Sequence, residues 1–60
     1  MSQLTQVRDE IGAMLIRLEE LQDWAESLEY PAIEHKIMEA RGPLSSAFQA
    51  ADQYQSGVLA

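Results

Sequence analysis

The sequence predicts an all-α protein: an antiparallel helical hairpin of two long helices, the second kinked at Pro43, dimerising into a four-helix bundle. Three observations predict it. Apolar residues recur at alternating intervals of three and four along both halves of the 60 residues. A Tyr30-Pro31 step separates the halves. No cysteine is present, so disulfides cannot supply the staple that chains of this size usually need.

The first helix is predicted over about residues 3–28. Leu4, Val7, Ile11, Met14, Leu18, Leu21, Ala25 and Leu28 follow one another at spacings of 3, 4, 3, 4, 3, 4 and 3. That is a heptad seam, the pattern of a helix with one sustained apolar stripe. No proline interrupts it, and Gly12 is its only glycine. Ser2 suits the N-cap.

A turn follows at residues 29–31. Pro31 fits the first turn of a new helix, where its missing N–H is no loss. Its ring pushes Tyr30 towards extended geometry. So short a connection makes an αα-hairpin.

The second helix is predicted over about residues 32–56. Ile33, Ile37, Ala40, Leu44, Ala47, Ala51, Tyr54 and Val58 run at spacings of 4, 3, 4, 3, 4, 3 and 4. The phase passes through Gly42-Pro43 unbroken, which predicts a bend at residues 42–43 inside one helix. A proline in a helix interior costs roughly 3 kcal/mol. Gly42 relaxes the crowding before the ring, and the Ser45 and Ser46 hydroxyls can bond back to the Arg41 and Gly42 carbonyls. The alternative is a true break, with Gly42 as a cap and Pro43 opening a third helix. Folded about Tyr30, the two seams pair in eight layers, from Leu28 with Ile33 to Leu4 with Val58, each pair of numbers summing to 61 or 62. Met14 then meets Ala47 and Leu21 meets Ala40, large against small, which lets helices interdigitate.

A lone hairpin leaves one side of its seam in water. Leu15 and Phe48 lie beside the seam on one flank and widen it next to Ile11, Met14, Ala47 and Ala51. These six residues are the predicted dimer interface, joining two hairpins by two-fold symmetry. Residues 43–60 carry a single charge, Asp52, which fits a helix that touches more than one neighbour. The plan is similar in size to the small dimeric hairpin RNA-binding regulators of plasmids. No motif and no basic face is shared, so that likeness implies no function.

Charge narrows the partners. The net charge is −6. Residues 1–30 hold seven acids against Arg8 and Arg17, and residues 31–60 hold three against Lys36 and Arg41. Phosphate affinity comes from clustered Lys and Arg, so direct nucleic-acid binding is not expected. Neither is a membrane role: the longest uncharged apolar run, GAMLI, is too short to span a bilayer. MSQLTQVRDE resembles no signal peptide, so a cytoplasmic protein is expected.

No reaction is written in the residues. There is no phosphate-binding loop and no Ser–His–Asp or Cys–His set, so no enzyme and no cofactor are expected. His35 with Glu39 has i, i+4 spacing, but it is the only histidine and reads as a solvated pair, with no metal. Three surfaces remain as partner-binding candidates. Gly12, Ala13 and Ile16 are expected on the outer face, where a glycine lets a partner approach closely. Glu19, Glu20, Asp23 and Glu26 form an acidic stripe. Trp24, Tyr30 and Met38 are expected together near the turn, where exposed aromatics suit an interface. The function expected is a small acidic interaction protein that regulates, inhibits or bridges another protein. The alternatives are an acidic mimic of nucleic acid that blocks a DNA- or RNA-binding protein, and a structural assembly subunit.

Overall fold

The computed structural model describes residues 3–58. Two helices, α1 (Gln3–Ser27) and α2 (Pro31–Ser56), pack against each other as a helical hairpin. The expected Ser2 cap lies outside the described residues. α1 ends in a left-handed residue, Glu29, at φ 62. Its N–H donates to the Glu26 carbonyl, and the Tyr30 N–H reaches back to the Ala25 carbonyl, each at 3.0 Å. This Schellman pattern satisfies carbonyls that the helix end would otherwise leave bare. α2 ends the same way on Gly57, at φ 83, with Val58 N–H on the Gln53 carbonyl at 2.9 Å. Glycine suits that conformation and glutamate does not. Glu29→Gly is therefore expected to stabilise the fold by about 1 kcal/mol, read as a higher midpoint in urea at fixed chain concentration.

α2 opens on Pro31, with Tyr30 at φ −111 before it and the Glu34 N–H bonded to the Tyr30 carbonyl at 3.0 Å. It then runs through Gly42 and Pro43 without interruption. The third helix of the alternative reading does not form. Proline has no N–H for the Glu39 carbonyl, so one rung of the ladder is missing.

The register agrees with the antiparallel pairing, but the seam is turned. Leu4, Ile11, Leu18 and Ala25 on α1, and Ile37, Leu44 and Ala51 on α2, lie half-buried or buried as the pattern requires. The flank beside them that closes the hairpin is a different one. Arg8, Leu15 and Gln22 on α1 and Arg41 and Phe48 on α2 are half-buried. Val7, Met14, Leu28, Ile33, Tyr54 and Val58, expected inside, stand 49–71% exposed. Ala40 and Ala47 are exposed too.

Two features hold this rotation. A Cβ on Gly12 would sit 3.2 Å from the Phe48 ring, so the ring lies against bare backbone. Polar side chains clasp the helices on either side of that contact. Arg8 Nη1 donates to Gln55 Oε1 at 2.5 Å and lies 3.4 Å from Asp52 Oδ1, while Gln55 Nε2 donates to Thr5 Oγ1 at 2.6 Å. Further along, Arg41 Nη1 donates to Gln22 Oε1 at 2.8 Å. Exposed ion pairs contribute less than about 1 kcal/mol each. What these clasps supply is register, since sliding either helix by one turn breaks both.

Little is fully enclosed. Among the described residues, Ala25 and Ala51 are the only buried hydrophobic ones. The hairpin measures 43 × 19 × 11 Å, a slab one helix thick.

Candidate functional site

The turned seam leaves an apolar face uncovered. On α1 it carries the exposed Val7, Met14 and Leu28 with the half-buried Leu21 between them, at intervals of seven; on α2 it carries Ile33, Ala40, Ala47 and Tyr54, again at intervals of seven. A strict seven-residue repeat keeps one stripe on one side of a helix along its whole length. Two shallow apolar depressions lie on this face. One is lined by Leu21, Trp24, Ala25, Leu28, Ile33 and Ile37. The other is lined by Leu18, Ala32, Ile33, Lys36, Ile37 and Ala40. Trp24, 58% exposed, edges the first of them.

The predicted interface is therefore divided. Ile11, Leu15, Phe48 and Ala51 are half-buried or buried within the hairpin, and Phe48 is engaged by Gly12. Met14 and Ala47 remain on the open side. Gly12 is not an outer-face residue: its missing side chain admits Phe48, not a foreign backbone. Ala13 and Ile16 are exposed as expected, Ile16 at 63%. A signal for this existed in the sequence. Gly12 and Phe48 number to 60, the same level of the hairpin, and a glycine opposite a lone phenylalanine is a size match.

Trp24 and Met38, expected together near the turn, line different depressions. Met38 lines a groove on the other side of the slab with Leu15, Ile16, Glu19, Arg41, Gly42 and Ser45. Trp24 flanks the open heptad face, and Tyr30 stands exposed at the turn. Gly42 has nothing within 4 Å of where a Cβ would be, so it is a smooth place in the Met38 groove.

The acidic residues are exposed. Glu19 reaches the Met38 groove, Glu20 lies 3.6 Å from Arg17, and Asp23 and Glu26 face solvent. His35 Nε2 is 3.1 Å from Glu39 Oε1, and Lys36 Nζ approaches the same carboxylate at 3.3 Å. Both partners of that histidine pair are well exposed. Among the described residues no group of three or more His, Cys, Asp or Glu is placed to hold a metal ion. No helix among them is long and apolar enough to cross a membrane. The chain matches no family model, no curated protein and no solved structure.

Proposed function

We propose that this protein is a non-enzymatic protein–protein interaction module that works as a homodimer, two hairpins forming a four-helix bundle, and that regulates or bridges a second protein. The observation that carries the reading is the open heptad face on a slab with two buried hydrophobic residues among those described. Apolar surface is driven out of water at roughly 25 cal/mol per Å². A stripe repeated every seven residues on two adjacent helices is the shape that further helices cover.

Once two such faces meet, the Ile16–Met38 grooves point away from each other on the two sides of the bundle. Each groove is lined by Leu15, Ile16 and Met38 together with Glu19, Arg41 and Ser45. That arrangement suits an adaptor, which must present the same surface twice. The expected result in sedimentation equilibrium at micromolar concentration is twice the chain mass of 6.7 kDa. A well-folded species of single chain mass would sink the reading.

A further inference from the structure

We infer that the open face is covered by a second copy related by a two-fold axis parallel to the helices, so that α1 of each chain lies antiparallel on α2 of the other. This rests on the dimeric reading above and adds which helix meets which.

The area fits. The whole broad side of the hairpin spans 43 × 19 Å, so a second copy laid along its full length has room for the roughly 800 Å² per partner of a standard specific complex. Two slabs one helix thick also make the two-layer depth of a four-helix bundle.

Hairpins stacked face to face by two-fold symmetry have their axis in the plane between them, either along the helices or across them. Size separates the two. The levels within the hairpin follow from Gly12 with Phe48 and Arg8 with Asp52, whose numbers sum to 60. With the axis along the helices, Met14 falls on the partner's Ala47 and Leu21 on the partner's Ala40. Val7 then meets the partner's Tyr54, and Leu28 meets the partner's Ile33. The two middle layers each set a large side chain on a small one, and both helix pairs close to the same distance. With the axis across the helices at mid-length of the face, α1 lies on α1. Met14 then meets the partner's Leu21, while Ala40 meets the partner's Ala47. One side is held apart by large residues and the other drawn in by alanines. Interaxial distance follows the side chains at the contact, so the second arrangement splays.

Charge favours the same choice. The row flanking the face on α1 carries Glu10, Arg17 and Trp24; on α2 it carries Lys36, Pro43 and Ala50. The lengthwise axis puts Trp24 level with the partner's Lys36, where a ring face attracts an ammonium. It puts Arg17 level with the partner's Pro43, an uncharged neighbour. The crosswise axis through mid-length puts Arg17 near the partner's Arg17, like charges on the rim of the interface.

The chain has no cysteine, so introduced thiols report without ambiguity. Met14→Cys and Ala47→Cys chains, mixed, allowed to exchange and mildly oxidised, are expected to form the mixed disulfide. A mixture of Met14→Cys with Leu21→Cys is expected to do so at least tenfold more slowly. Val7→Cys mixed with Tyr54→Cys repeats the reading at the end of the bundle, should the central variants fold poorly. Equal or reversed rates overturn the arrangement while leaving the dimer standing. Absence of any dimer for the unaltered chain overturns both.

Discussion

Met14→Glu is expected to leave the helices formed and to dissociate the proposed dimer, weakening it by at least about a hundredfold. Met14 is 49% exposed in the hairpin, so a glutamate there can reach water as long as the chain is alone. Methionine and glutamate also have similar helix propensity, so the local cost is small. In the proposed dimer the same position would be the middle of a dry layer. An unpaired carboxylate there costs several kcal/mol, and symmetry introduces it twice. Every 1.4 kcal/mol is about a tenfold change in association, so a cost of about 3 kcal/mol gives the hundredfold loss. The readouts are mass by sedimentation and the dependence of the melting temperature on chain concentration, which mass action requires of a dimer. Ala13→Glu, on an exposed position one residue away, is expected to change neither. A Met14→Glu protein with unaltered mass and melting temperature would show that this face is not the interface. Substituting Phe48 does not discriminate in this way, because its ring lies on Gly12 within the hairpin and its loss damages the monomer itself.

Much of the fold was legible because it depends on patterns that one helix displays alone. The existence of both helices, the turn at Tyr30-Pro31 and the passage of α2 through Pro43 all follow from unbroken periodicity. The register was legible too, since antiparallel pairing about a short turn leaves few choices. The rotation of the helices was not. Leu4, Ile11, Leu18 and Ala25 are shared by two possible seams, one completed by Val7, Met14 and Leu21, the other by Arg8, Leu15 and Gln22. Counting apolar residues selects the first. The structure uses the second, because that side holds Gly12 beneath Phe48 and the long polar side chains that bond across the helices. Arginine and glutamine bury their stems while their heads find partners, which hydropathy counting scores as a loss.

That rotation also bears on the candidate site. A solitary hairpin gains most by burying its most apolar flank, yet here the flank with arginines and glutamines is closed and the aliphatic one is open. The Gln22–Arg41 and Arg8–Gln55 clasps need only two helices to be satisfied. Val7, Met14, Leu28 and Ile33 gain from a third and fourth. The division of labour is consistent if register is set within the chain and most of the burial comes from association. It explains why the Leu15–Phe48 flank, which widens the apolar patch on paper, is poorly placed to be the dimer interface.

Pro43→Ala is expected to stabilise the protein by roughly 2 to 3 kcal/mol. The gain has two sources: the Glu39 carbonyl recovers an N–H partner four residues on, and the ring no longer presses on that carbonyl, together worth about 3 kcal/mol in a helix interior. Against this, proline stiffens the unfolded chain, an advantage of about 0.4–1 kcal/mol that alanine gives up. Pro43 is exposed, so little packing is lost with its ring. In a domain of this size each kcal/mol moves the melting temperature by about 4–8 °C, so a rise of at least about 8 °C is expected at fixed chain concentration. The sign of the effect is diagnostic. Were Pro43 the first residue of a separate helix, its fixed φ and missing N–H would favour that start, and alanine would cost stability. A lower melting temperature for Pro43→Ala would therefore mean that α2 is two helices, and it would remove the common phase on which the open face from Ile33 to Tyr54 depends.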